Sequence, residues 1–484
     1  MKRFFSSPLL ALLVGACLRL LFVLKYPAAS GDTVLYDELA TKWLKLGKLA
    51  MDIGGQALPV DLRMPGYPAF LAIVYALTGR TGERARMPVM LVQVMVDLAT
   101  CAVIAALAAL LARMCGAHGK SRRVFLLAVW LAALCPFTAN YVAVPLTEVW
   151  AVFLTALASV FLVMVATRAS GHPVPLARGR DLGEKESWRV AALGGLVVGV
   201  GTLFRPETPL LLVTTFVALG FWMLPRLEVK RWLSLCTLMG FACVVPLVPW
   251  TIRNVVTLHE FQPLAPRDTT LPGEVDPRGF MAWENTWLYR MRDCYLVSWK
   301  LNEEEIHLED IPPWAFDTPG ERERVAMVLE RYNDEITWTA GEDSVFAQLA
   351  YERTQRYPLR TYLWIPLRRT VRMWFTPRIE LVPVSGHVFP LAYQREEDPV
   401  DQEVTILFFL ANVFYAGLGL WGAWKLWTWP GARAAVVVLG LYILARTAFL
   451  TTLETPEPRY VLECFPALIA FGAQVISEKS ADLQ

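Results

Sequence analysis

PLLALLVGACLRLLFVLKYPAASGDTVLYDELATKWLKLGKL, Pro8 to Leu49, decides how the rest of the chain is read. Its first half, Pro8 to Leu24, approaches the roughly 18–20 apolar residues that cross about 30 Å of hydrocarbon. Its second half sets three acids, Asp32, Asp37 and Glu38, directly behind that run. Carboxylates so near a bilayer require water, a partner or a task. The remaining chain repeats the first half many times over. Of its 484 residues 55% are hydrophobic and 19% charged, with 18 Trp, 24 Phe and a mean hydropathy of +0.40. A soluble domain of this size carries more charge. The composition predicts an all-α polytopic membrane protein. The net charge of +2 gives no support to nucleic-acid binding, because the basic residues are dispersed at the ends of apolar runs.

About ten spans are expected, near 8–25, 88–113, 123–139, 147–167, 190–204, 207–224, 232–250, 404–427, 434–452 and 460–477. The first follows Lys2 and Arg3 and has the outline of a secretory signal. Ala28-Ala29-Ser30 is its nearest approach to a cleavage site, and the run is read as an uncleaved span. Pro65 to Leu77 is too short to span and predicts an interfacial or re-entrant helix. Four basic loops (Arg113 to Arg123, Arg168 to Arg189, Arg226 to Arg231, Lys425 to Arg433) then fall on the side of Lys2 and Arg3. The positive-inside rule makes that side cytoplasmic, with both termini there, as in a bacterial inner membrane.

Three regions result: an N-terminal bundle, 1–250, whose first outer loop is 26–87; a non-cytoplasmic cap, 251–403; and C-terminal spans, 404–484. The cap is rich in Trp, Pro and charge, with helix-like stretches from Pro319 to Tyr332 and Glu342 to Tyr357. Its aromatics predict a folded region rather than a linker. The chain shows no internal repeat, which counts against a two-fold transporter.

In the first loop Leu39, Trp43, Leu46 and Leu49 recur at helical spacing, with Lys42, Lys45 and Lys48 on another face. This predicts an amphipathic helix from Tyr36 to Leu49 lying on the membrane. Asp32, just ahead, either caps that helix or accepts a proton from a substrate hydroxyl. Asp37 and Glu38 form its first turn. Further on, Arg63-Met64-Pro65-Gly66-Tyr67-Pro68 reads as a rigid turn before an apolar helix. Arg63 there binds a phosphate or anchors the turn at the headgroups.

An acid four residues before Tyr36, an amphipathic helix, Pro-Gly-Tyr-Pro and then a bundle resemble the GT-C glycosyltransferases. They are most similar to the group of protein O-mannosyltransferases, aminoarabinose transferases and rhizobial lipopolysaccharide glycosyltransferases. Leu146-Thr147-Glu148 opening a span, Arg205-Pro206 closing one, Pro249 to Asn254, and Arg459-Tyr460 before the last span continue the likeness in order along the chain. The resemblance implies transfer of a sugar from a polyprenyl-phosphate carrier to an envelope lipid, glycan or protein on the non-cytoplasmic face. It implies Asp32 as base, with Glu148 where the family's second acid stands. The family often has an Asp-Glu pair in the first loop; here Thr33 takes the second place, and Asp37 keeps a smaller catalytic claim. Tyr36, Tyr67 and Tyr460 are the substrate-contacting candidates.

One in-line displacement needs a base for the acceptor and cations for the departing phosphate, and it inverts the anomeric centre without a covalent nucleophile. Arginine suits the phosphate, since its fork bonds two oxygens. The candidates are Arg63, Arg205, Arg368, Arg369, Arg372 and Arg459. In YLWIPLRRTVRMWF, Trp364, Leu367, Val371 and Trp374 share a face with arginines beside it, which fits either a phospholipid-like donor or plain headgroup anchoring. The five histidines, His118, His172, His259, His307 and His387, show no ligand spacing, and no cysteine pair makes a zinc or disulfide motif. No metal site or cofactor is expected, although a divalent cation is compatible with the acids. A flippase for a lipid-linked glycan is the competing function. It would place more charge at mid-span than Arg19, Asp97 and Arg446 supply.

Overall fold

In the computed structural model the described residues are 7–116, 120–176, 180–266, 274–386, 388 and 398–476. His118, His387, Lys2, Arg3 and Arg178 lie outside them. The chain is mostly helical and forms two compact units. The first comprises residues 1–266, 377–443 and 462–484; the second comprises 267–376 and 444–461.

The first unit begins with α1 (Pro8–Lys25) and α2 (Gly31–Leu46). A hairpin follows, β1 (Ala50–Ile53) against β2 (Gln56–Pro59), in antiparallel register from Ala50 opposite Pro59 to Ile53 opposite Gln56. This strand pair departs from the all-helical expectation. Its cause is local: Gly54 and Gly55 both take positive φ, as a two-residue hairpin turn requires. Then come α3 (Gly66–Thr78), α4 (Glu83–Met114), α5 (Ser121–Ala133), α6 (Pro136–Ala139), α7 (Glu148–Ala169), α8 (Glu184–Thr202), α9 (Leu210–Met223), α10 (Val229–Val244) and α11 (Val248–Leu258). After the second unit's α12 (Arg278–Glu284), α13 (Met291–Leu296), α14 (Pro319–Glu335), α15 (Ala340–Arg356) and α16 (Ile365–Trp374), the chain continues with α17 (Pro399–Trp427), α18 (Pro430–Leu450) and α19 (Phe465–Gly472).

Every segment expected to span is helical, but the count changes. Among the described residues six helices are long and apolar enough to cross a membrane: α1, α4, α7, α10 with α11, α17 and α18. A seventh appears if α5 and the stretch Pro136–Ala143 make one span, bent by 51°. Pro136 lacks the N–H that would continue α5, so the ladder breaks there. The segments near 207–224 and 460–477 are a short apolar helix and a run of short pieces interrupted at Pro466. The chain is therefore a multi-pass membrane protein in which, among the described residues, six or seven of the ten expected segments are helices long and apolar enough to cross.

Helix packing in the first unit is built on small residues. Ala105, Ala108, Ala112, Ala128, Ala467 and Ala470 are buried where α4, α5 and α19 meet, and small side chains let apolar helices approach closely where lipid supplies no hydrophobic drive. Two of the mid-span charges, Arg19 and Asp97, close on one another. Arg19 Nε donates to Asp97 Oδ2 (2.6 Å), and its other nitrogens reach the carbonyls of Gly15 and Ala133 and the Cys101 sulfur. Arg19 thus joins α1, α4 and α5 instead of lining a cavity. Such pairing is what makes a buried ion tolerable.

The second unit has an aromatic core. Phe280, Trp283, Trp287, Trp338 and Phe346 are buried together, with ring centroids 4.8–5.9 Å apart in edge-on or tilted contacts. Each such pair adds about 0.5–1.5 kcal/mol beyond area burial. α14 and α15 carry the two helices expected there, and each starts at a threonine cap, Thr318 and Thr339.

Candidate active site

Ser30 begins α2, so Asp32 lies inside the first turn rather than ahead of it. Asp32 is therefore not the cap. The Ser30 N–H donates to Thr33 Oγ1 (3.1 Å), and the Thr33 hydroxyl donates on to the Pro145 carbonyl (3.2 Å). This accounts for Thr33: fully buried, it closes the capping box and pins α2 to the loop before α7. The Ser-x-x-Thr spacing was visible in the sequence.

The three acids of this stretch part company. Asp32 Oδ1 accepts from Arg63 Nη2 (2.9 Å), with both side chains about a quarter exposed, 27% and 26%. Asp37 is buried and tied to the Tyr75 hydroxyl and to Arg86, which joins α2 to α3 and α4. Glu38 accepts the Asp52 N–H (2.7 Å) and holds the hairpin, as does the Lys42–Asp52 pair. Asp37, a catalytic candidate by sequence, is thus committed to contacts between helices.

A second acid–arginine pair stands at the start of α7. Glu148 Oε1 accepts from Arg205 Nη2 (2.5 Å), and Arg205 also meets Glu207 at 3.6 Å. Glu148 occupies the first turn of α7, where the helix dipole favours an anion. Two contacts bring the loops together. Gly66 N–H donates to the Leu203 carbonyl (2.7 Å), and a Cβ at Gly66 would lie 2.5 Å from that oxygen, so only glycine permits the approach. The Tyr67 hydroxyl donates to Gln93 Oε1 (2.7 Å), and Gln93 Nε2 donates to the carbonyls of Val142 and Val144. Gln93, fully buried in α4, thereby ties the Pro-Gly-Tyr-Pro turn to the loop that precedes Glu148.

Tyr36 stands among both pairs. Its ring packs edge-on against Tyr67 at 5.0 Å. Burial pushes its phenol up to about 12, and the charges that act on it are those of Arg63, Asp32, Arg205 and Glu148. Two carboxylates, two guanidiniums and a neutral phenol thus share one neighbourhood, built from α2, the turn before α3, α7 and the turn after α8.

Two solved proteins resemble this chain. The oligosaccharyltransferase AglB of Archaeoglobus fulgidus, in complex with an inhibitory peptide and a dolichol-phosphate, aligns over 97% of this chain and 50% of its own, at 12% identity and a TM-score of 0.48. ArnT of Cupriavidus metallidurans, bound to undecaprenyl phosphate, aligns over 96% of this chain and 77% of its own, at 16% identity and a TM-score of 0.42. The chain spans about half the length of the oligosaccharyltransferase. No protein-family model and no curated protein sequence matches it. At these identities and scores the likenesses assign no activity.

The other residues singled out by sequence belong to the second unit. Arg459 pairs with Glu457, whose carboxylate also takes the Tyr460 hydroxyl (2.7 Å). Arg369 turns inward and is 1% exposed, donating to the Leu288 carbonyl, Asn285 Oδ1 and the Thr451 carbonyl at 2.7–3.0 Å. It joins α16 to the end of α12 and to the turn after α18, so it serves as a clasp between them. Arg368 and Arg372 are exposed.

Arg253 belongs to the Pro249 to Asn254 stretch, which the sequence marked without giving this arginine a role. It donates to the carbonyls of Leu49 (2.7 Å) and Val60 (3.0 Å) and so closes the open end of the hairpin. Asn254 beside it holds the Gln262 carbonyl. Among the described residues no three His, Cys, Asp or Glu side chains gather as a metal site.

Proposed function

We propose that this chain is an inverting glycosyltransferase of the GT-C type. It moves a sugar from a polyprenyl-phosphate carrier to an envelope lipid, glycan or protein hydroxyl on the non-cytoplasmic face of a bacterial inner membrane. The observation that carries the reading is the gathering of Asp32–Arg63 and Glu148–Arg205 about Tyr36.

The chemistry follows from the groups present. Asp32, partly exposed, accepts the acceptor's proton as the hydroxyl attacks the anomeric carbon. The bond from that carbon to the carrier phosphate breaks in the same step, and the phosphate leaves with the electron pair. Arg63 and Arg205 stabilise the charge that develops on it, which a planar fork of donors does best in a water-poor site. Glu148 orients Arg205. Tyr36, neutral at any physiological pH, offers a hydroxyl to sugar or phosphate without adding charge. No cofactor enters this scheme.

The test is direct transfer by the purified full-length chain from synthetic polyprenyl-phosphate sugars, with and without a chelator, which decides whether a divalent cation takes part. Mass spectrometry of envelope glycolipids and glycoproteins with and without the chain accompanies it. Loss of one glycan without the chain supports the reading. Unchanged glycans, with a lipid-linked precursor building up on the cytoplasmic face, would sink it and identify a flippase.

A further inference from the structure

The second unit shows its most unusual surface on α16 and the helical turns that lead into it. Leu359, Leu363, Leu367, Val371 and Phe375 are each 46–68% exposed, and Trp364 beside them is 58% exposed. Four-residue steps drift by about 40° each around an α-helix. The π-helical turn Arg360–Trp364, being wound more widely, offsets that drift and keeps the row on one face. An apolar row this long, left uncovered, marks a surface that meets something other than water.

Arginines border the row, and the fold recruits two from another helix. Arg368 stacks on the Tyr289 ring at 5.0 Å. Arg290 lies over Trp314 at 4.2 Å and near Tyr289 at 5.4 Å. Arg292 and Arg372 are exposed, and their charges, with that of Arg290, bear on the buried Asp293 carboxylate. Among the described residues none of the four pairs with a carboxylate at ion-pair distance. Three of these guanidiniums, Arg290, Arg292 and Arg372, thus share a single buried acid, and Arg368 lies on Tyr289 beside them. Arg369, the fifth arginine in the neighbourhood, is turned inward, so the outward charge is not the one the sequence of α16 suggests.

We infer that the face formed by α13 and α16 docks the second unit onto the headgroup layer of an anionic bilayer, with the apolar row set among the upper acyl carbons and Arg290, Arg292, Arg368 and Arg372 on lipid phosphates. The pairing of aromatic and aliphatic side chains with bordering arginines matches that layer, which is apolar below and negatively charged above. Chain order agrees, because the next helix after α16 is the membrane-spanning α17. Arginine holds phosphate oxygens through two donors, and stacking on Tyr289 and Trp314 fixes the direction of two of the forks.

The test uses the full-length chain in nanodiscs, with a nitroxide on Leu363→Cys in a background carrying Cys17→Ser and Cys236→Ser. Discs of phosphatidylcholine alone are compared with discs that also contain phosphatidylglycerol. The label is expected to collide with oxygen and to be shielded from a water-soluble nickel chelate, more so with phosphatidylglycerol. Arg292→Ala and Arg372→Ala, both at exposed positions, should each lower the apparent phosphatidylglycerol affinity about fivefold. A label equally open to the chelate in both discs overturns the inference. So does dipolar broadening between labels, which would make the face a contact between copies of the chain. A third outcome overturns it as well: arginine variants that raise the KM for a polyprenyl-phosphate donor while leaving phosphatidylglycerol affinity unchanged would assign the patch to the donor.

Discussion

Around Tyr36, Asp32 meets Arg63 and Glu148 meets Arg205. In the second unit Asp317 and Glu321 are held by Arg353, Arg356 and Arg360. The residue types are the same and the surroundings differ. Arg353 is fully buried and also bonded to Thr286 and the Trp314 carbonyl, so its guanidinium is committed on several sides. Asp32 and Arg63 keep a quarter of their surface open. Arg353 and Glu321 are sealed at the centre of that network and join helices, whereas the Asp32–Arg63 pair on a first helical turn can exchange its partner for a substrate. Burial and multiplicity, not residue type, set Arg353 apart from Arg63.

That contrast breaks most visibly at Asp32. Asp32→Asn should lower sugar transfer by about 10²- to 10⁴-fold, the range for loss of a general base, with yield and thermal unfolding unchanged. Transfer at the parental rate would remove Asp32 from the mechanism. At Arg353 the expected effect is on stability. Arg353→Ala removes the buried arginine from the network, leaves Asp317 and Glu321 to Arg356 and Arg360, and should cost about 2 kcal/mol in denaturant unfolding, while transfer per folded molecule is retained.

Within the second unit the acids divide on pH. Burial alone would raise Asp317, but the hydrogen bond from Arg360 and the charges of Arg353 and Arg356 hold its carboxyl below the ordinary range; Glu321 is likewise held down against burial by the Asp317 N–H, Arg356 and Arg353. Their contribution is present above the ordinary carboxylate pKa and is lost as pH falls through the lowered values. Glu284 behaves oppositely. Burial pushes it up to about 8 against the Ser298 hydrogen bond, so the folded chain binds a proton that the unfolded chain releases near pH 4.3. Stability should decline as pH rises from about 4.3 to about 8 and then level off, and Glu284→Gln should flatten that decline in unfolding curves taken at several pH values. The smallest effect is expected at Thr33. Thr33→Val removes the cap but keeps the volume and should cost about 1 kcal/mol. A large loss of transfer with so small a loss of stability would show that the cap also aims Asp32.

Much of this was legible. Apolar runs marked the long helices of the first unit because hydrocarbon imposes length and composition directly. The order of Asp32, Arg63, Glu148 and Arg205 along the chain named the members of the candidate site. Its assembly was not legible, because Gly66 against Leu203 and Gln93 against Val142 and Val144 are contacts between remote segments. Span number was less legible, since the apolar runs near 190–204, 207–224 and 460–477 are not among the helices long and apolar enough to cross by themselves.

By itself the sequence determined that the chain is helical, membrane-spanning and supplied with acids and arginines at span ends, because these depend on local composition and period. Only the tertiary structure decided which acids remain half-open, which arginines are consumed in clasps, and which four turn outward together. Those outcomes depend on what each side chain meets across the fold, and a linear pattern carries no record of that.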